Sequence, residues 1–174
     1  SLRGVPAPGL AELVFETLTI NGLDEPNTQY GLLADDIEVA PDFGSTIFRI
    51  NALARFSNGD PVTAYDVEYS FKVMTSKAVS PRYSAYFSEI ESVDVLDERR
   101  IRFVFKRKGR DLSFIAGSLP VFSPKWGKSN QGDVAFADLR FESPIASGPY
   151  TIEQARSGRD IIYRRNPEYW GKDI

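Results

Sequence analysis

Between positions 46 and 105 the apolar residues change period twice, from two to about 3.6 and back to two. Over 46–50, Phe48 and Ile50 fall on one face and Ile47 and Arg49 on the other, the alternation of a half-buried strand. A second strand ending at Phe56 is expected to pair with it. Val67, Phe71 and Met74 then recur on one helical face. Val93 and Val95 mark the next strand, Asp97-Glu98 a turn, and Ile101, Phe103 and Phe105 the inward face of a return strand.

The switch from strand to helix is specified locally. Asn58-Gly59 supplies the two residues that most readily take positive φ, so the chain reverses there. Pro61 stops any ladder from continuing. Thr63 is placed to cap the helix, and Asp66 three residues on completes a capping box. Val62 and Val67 are spaced as a hydrophobic staple across that cap.

Elsewhere the pattern is shorter-ranged. The first nine residues hold two prolines and two glycines and read as an extended lead-in. Leu10, Val14, Phe15 and Leu18 predict a short amphipathic helix over 10–19, with Glu12 and Glu16 between them. Positions 21–30 are turn-rich, and 31–39 leads into a strand. Ser80-Pro81 breaks the chain ahead of Tyr83, Tyr86 and Phe87. Asp111 is a candidate cap for a short helix with Leu112, Phe114 and Ile115, and Leu119-Pro120-Val121-Phe122 is apolar enough to be buried. No regular structure is expected over 125–138. A strand after Tyr150, a Ser157-Gly158 turn and a strand over 160–165 close the sequence, followed by Asn166-Pro167-Glu168-Tyr169-Trp170-Gly171. The whole reads as one mixed α/β domain over 1–174, α+β-like, of largely antiparallel hairpins packed with short helices.

Composition narrows the chemistry. The 174 residues include 12 Phe, 8 Tyr and 2 Trp, and 42% are apolar, which suits a globular core and not a disordered chain. A net charge of -3 offers nothing to nucleic acid or to an anionic membrane surface. No apolar run approaches the length that crosses a bilayer, and no charged-then-apolar leader opens the sequence. Cysteine and histidine are both absent, which removes disulfides, thiolate nucleophiles, His-based triads and most transition-metal sites. No G-x-S-x-G, phosphate-binding Gly-rich loop or S-x-x-K pair is present. Carboxylates alone remain for catalysis, and neither a cofactor nor a metal is expected.

Asp35-Asp36 and Asp97-Glu98 are the candidate carboxylate pairs, but neighbours on a strand point to opposite faces and do not converge on one substrate. Solvated turns are the simpler reading. Lys106-Arg107-Lys108-Gly109-Arg110 reads as a solvated loop in preference to an anion site. A carboxylate-only hydrolase and an extracellular carbohydrate-binding or adhesion module stay open as alternatives; two acids facing each other in a pocket would favour the first, an exposed aromatic row the second.

Two longer stretches carry more. Residues 54–71 run Ala-Arg-Phe-Ser-Asn-Gly-Asp-Pro-Val-Thr-Ala-Tyr-Asp-Val-Glu-Tyr-Ser-Phe, and the end of the chain has Ser147-Gly148-Pro149-Tyr150 followed by Arg165-Asn166-Pro167-Glu168-Tyr169-Trp170. Both resemble the signatures of the bacterial family 5 solute-binding proteins, the receptors of peptide and nickel ABC importers. Ala146 stands where that family usually has glycine. Phe15-Glu16-Thr17-Leu18 and Gly31-Leu32-Leu33-Ala34-Asp35 look like two further family landmarks. With Asp24-Glu25-Pro26, the second is closest to the oligopeptide branch that includes the microcin-uptake type.

The resemblance implies part of the first lobe of a type II periplasmic-binding-protein fold. Full-length members continue for roughly two to three more domain lengths. It also implies a periplasmic location, a peptide ligand held in a cleft between two lobes, delivery to an inner-membrane ABC permease, a monomer, and no chemistry on the ligand. Relatives carry nickel chelates, opines or sugars; peptides are preferred here, since a chain without histidine is poorly suited to ligate nickel. An aromatic shortly after the Ser-Pro can approach the ligand in peptide-binding members, which makes Tyr83 and Arg82 the candidate binding residues. Packing is the competing role for Tyr83, and Tyr169 and Trp170 are assigned to packing.

Overall fold

The computed structural model describes residues 8–22, 24–25, 28–126, 128, 139, 143–156 and 159–173. In chain order, α1 spans Leu10–Leu13, β1 Glu16–Thr17, β2 Thr19–Asn21, β3 Gln29–Gly31, β4 Ala34–Val39, β5 Ser45–Ile50, α2 Ala64–Met74 and α3 Pro81–Tyr86. β6 (Ile90–Val95), β7 (Arg100–Phe105), α4 (Asp111–Gly117), β8 (Pro120–Val121), β9 (Tyr150–Arg156) and β10 (Asp160–Arg165) follow.

The central element is an antiparallel sheet in the order β4-β5-β7-β6. Phe48 lies opposite Ile101, and Thr46 opposite Phe103. Thr46, Phe48, Ile50, Ile101, Phe103 and Phe105 all turn inward, as the alternating apolar residues require. Phe103 receives the edge of Phe48 at 5.5 Å and of Phe71 from α2 at 6.2 Å between ring centres. Thr46 breaks the apolar face: its buried hydroxyl has no hydrogen-bond partner among the described residues. Thr46→Val, which keeps the shape and removes the stranded hydroxyl, is expected to raise stability by about 1 kcal/mol, read as a higher urea midpoint.

The start of α2 follows the sequence closely. Thr63 N–H and Oγ1–H both donate to Asp66 Oδ2, at 2.8 and 2.7 Å, and Val62 and Val67 are both buried. The preceding turn is built differently from the expectation. Gly59 alone has positive φ, at 86°, while Asn58 does not; its side chain instead bonds Asp60 through Oδ1 and Nδ2. The stretch ending at Phe56 is not a second sheet strand. β5 is already flanked by β4 and β7, leaving only a single bridge between Arg55 and Pro61.

Three other expectations change. The helix expected over 10–19 ends at Leu13, because Val14 O accepts the N–H of Gly148 and Glu16–Thr17 pair with Pro120–Val121. Tertiary pairing overrides the helical spacing, although Val14, Phe15 and Leu18 are buried as expected. Pro81 opens α3 at its first position instead of merely breaking the chain. Arg110, not Asp111, holds the cap position of α4; Asp111 lies in its first turn, bonded to Arg107.

The same core continues in an aromatic group around Phe122. Phe122 is ringed by Phe15, Tyr69 and Trp126 at 5.6–6.0 Å, beside the β1–β8 pair and a bridge between Phe122 and Ala146. Ala146 is buried and its carbonyl accepts Ser57 N–H, so it fits the turn where the family has glycine. Every strand pair is antiparallel, as the hairpin pattern required. β9 and β10 form a separate hairpin with no fully buried residue, and its Ser157-Gly158 turn lies outside the described residues, as does most of 125–138.

Candidate functional site

The candidate binding residues lie on α3. Arg82 is exposed, while Tyr83 is half-buried and packed against the core, so they sit side by side in sequence without converging. Tyr86, one turn on, is 51% exposed. Its ring meets Phe87 edge-on at 5.0 Å, and its hydroxyl lies 3.2 Å from Ser118 Oγ at the end of α4.

The acidic pairs face guanidinium groups, not each other. A bulge in β4 sets Asp35 against both Arg49 (2.6 Å) and Arg99 (3.3 Å), with Asp36 reaching Arg49 at 3.7 Å. Both acids therefore approach one cation despite their adjacency, a consequence of the bulge that simple alternation misses. Asp97 accepts from Arg100, which holds its carboxyl below the usual carboxylate range, and Glu98 gives its carbonyl to Ala64 N–H. In the basic run, Arg107 is paired with Asp111 and Glu89, Lys108 with Asp42, and Arg110 stacks 4.9 Å over Phe43. Two of the four cations of that run are thus paired with acids. Among the described residues no three His, Cys, Asp or Glu side chains are grouped to hold a metal.

One acid has a role that its place in the sequence did not reveal. Glu16 is 5% exposed, and its carboxyl accepts from Tyr169 Oη at 2.5 Å and Trp170 Nε1 at 2.8 Å. Burial raises its pKa, against the pull of Tyr169, Trp170 and, more weakly, the neighbouring Ser147. Burial, and after it the same contact with Glu16, raises the Tyr169 phenol. Tyr169 and Trp170 thus do more than pack: their polar ends satisfy a buried acid 153 residues away in sequence. Only the placement of Glu16 between the apolar Phe15 and Leu18 hinted at this.

Asp66 is likewise raised, by burial outweighing its bonds to Thr63. A carboxyl with a raised folded-state pKa gives its stability below the unfolded value and loses it as pH climbs through the folded one. Urea stability is therefore expected to fall as pH rises above the ordinary carboxylate range and through the raised folded-state values of Glu16 and Asp66, and Glu16→Gln should flatten part of that slope; an unchanged slope in that variant would count against the titration of Glu16.

The model of the bacterial extracellular solute-binding proteins, family 5 Middle, matches residues 28–174. The chain belongs to this family. Among family 5 relatives, a putative binding protein of Brucella melitensis biotype 1 is 38% identical over 176 residues, covering 99% of this chain and 28% of that protein. A probable peptide-binding protein of Agrobacterium fabrum is 34% identical over 176 residues, covering 99% and 28%. The chain therefore spans 28% of the length of these two relatives.

Two solved structures share the fold. The oligopeptide-binding protein AppA from Bacillus subtilis, in complex with a nonapeptide, superposes with a TM-score of 0.78 at 23% identity, over 97% of this chain and 34% of that one. NikA from Brucella suis, in complex with Fe(III)-EDTA, gives 0.77 at 22% identity, over 98% and 34%. The mixed α/β architecture of antiparallel sheets and few helices is that of these substrate-binding proteins.

Proposed function

We propose that this chain forms part of the first lobe of a periplasmic receptor that captures oligopeptides and hands them to an inner-membrane ABC permease. The observation that carries this is the family match over 28–174. It is supported by a relative named as a probable peptide-binding protein and by a structural neighbour holding a nonapeptide. The arrangement of charged groups agrees with capture and not catalysis: the two adjacent acidic pairs are spent on arginines or on a turn. Main-chain hydrogen bonding to an extended ligand, with side chains in hydrated pockets, gives affinity with little sequence selectivity. Within the family we place the chain in the oligopeptide branch that includes the microcin-uptake type.

Arg82 and Tyr83 are the proposed contacts from this portion, Arg82 through its exposed guanidinium and Tyr83 through the edge left uncovered. Calorimetry with a pool of di- to pentapeptides tests both levels. The receptor carrying this sequence is expected to bind in the micromolar range or tighter, and the 174-residue chain alone weakly or not at all. Micromolar binding by the chain alone would contradict the partial-lobe reading. Arg82→Ala and Tyr83→Ala should each weaken the receptor's binding by roughly fivefold, about 1 kcal/mol; unchanged affinity in both would remove α3 from the site.

A further inference from the structure

Among the described residues, the β9–β10 hairpin is joined to the rest of the protein by few side-chain hydrogen bonds. It pairs with no other strand among the described residues, and neither strand has a fully buried residue. Ile152, Tyr163 and the following Trp170 pack against the core only partly buried. Tyr163 Oη donates to Pro8 O at 2.7 Å on the exposed side. Just ahead of β9, Gly148 N–H donates to Val14 O, and a buried side-chain tie is Glu16, gripped by Tyr169 and Trp170 from the turn that follows β10. Gly171 lies against that grip: a Cβ there would lie 2.8–3.0 Å from the phenol of Tyr169, which would have to shift to make room.

We propose that the Glu16 carboxyl is a latch that holds the β9–β10 hairpin and the Tyr-Trp turn onto the main body, and that it stays fastened whether the carboxyl is ionised or protonated.

The second half follows from the donors. Trp170 Nε1–H can only donate, so Oε2 is an acceptor in both states. When ionised, Oε1 accepts from Tyr169 Oη–H. When a proton from solvent adds at Oε1, the new O–H donates to Tyr169 Oη and the phenol's own proton turns to water, which the half-buried ring allows. Among the described residues, Tyr169 is the other titratable group bearing on Glu16. Glu16→Gln reproduces the protonated arrangement, with Oε1 toward Trp170 and the amide N–H toward Tyr169. Glu16→Ala strands both donors.

Residue-resolved amide hydrogen exchange on the 174-residue chain tests this. In Glu16→Ala, protection over β9, β10 and the Tyr-Trp turn is expected to fall about 10- to 100-fold while the β4-β5-β7-β6 sheet changes by less than about threefold. Glu16→Gln should stay within about threefold of the parent throughout. The Trp170 indole N–H should remain slow to exchange on both sides of the Glu16 titration. Should Glu16→Ala not fold, Trp170→Phe, which removes one of the two donors, reads the same localisation. Equal loss in hairpin and sheet, no loss in the hairpin, or a Gln variant as damaged as the Ala variant would each overturn the latch; an indole that opens on protonation would overturn its indifference to pH.

Discussion

Gly148→Ala is expected to destabilise the protein by about 2–3 kcal/mol, the scale of forced overpacking, seen as a lower urea midpoint at unchanged slope. A Cβ at this position would lie 2.5 Å from Val14 O and 2.6 Å from Leu13 O. These are backbone atoms at the end of α1, and Gly148 N–H already donates to Val14 O at 2.9 Å. Neither chain can retreat without breaking that bond or uncovering Val14 and Phe15, both buried. The entropy that alanine removes from the unfolded chain offsets about 0.4–1 kcal/mol and does not change the sign. Gly59 supplies the control. It has open space around it but φ of 86°, so its limit is conformational, and alanine there should cost about 1–2 kcal/mol. Asparagine, which tolerates positive φ, should restore much of the loss at 59 and none at 148. Equal rescue at both sites would mean the close approach at Gly148 has been misread.

Phe103→Ala should cost about 3–5 kcal/mol, the range for emptying a buried aromatic site. The ring is fully buried between Phe48 in the sheet and Phe71 on α2, and both neighbours meet it edge-on. Its removal takes away one aromatic contact between α2 and the sheet and leaves a void walled by two rigid rings, which limits collapse. Phe103→Leu, which fills most of that space, should recover roughly half of the loss. Chemical denaturation of the three proteins gives the series directly. A loss below about 1 kcal/mol in the alanine variant would show that the sheet and α2 are not held through this residue.

Local chemistry made part of this fold readable from residues alone. The period-two faces of Phe48, Ile50, Ile101, Phe103 and Phe105 and the Thr63–Asp66 cap depend on neighbours within a few positions, and all appear where the pattern put them. The segment 10–19 did not, because its fate is decided by Pro120–Val121 and Gly148, more than a hundred residues away. The same distance hid Glu16. Placed on a helix, it belonged to a solvent face; placed on a two-residue strand, it turns inward to meet Tyr169 and Trp170. Asn58 illustrates a smaller miss, since its side chain closes the turn that its backbone was expected to make. The family signatures were legible as wording before their reasons were. Gly148 owes its place to backbone atoms of Leu13 and Val14 that no linear pattern brings beside it.

The reading as a capture protein is tested most directly by the cargo. The receptor carrying this sequence would be purified from the periplasm without refolding, its bound small molecules released by acid, and their masses determined. Intact short peptides of mixed sequence are the expected result. A uniform metal chelate, opine or sugar in their place would contradict a peptide receptor, and added peptides returned in cleaved form would contradict the absence of chemistry.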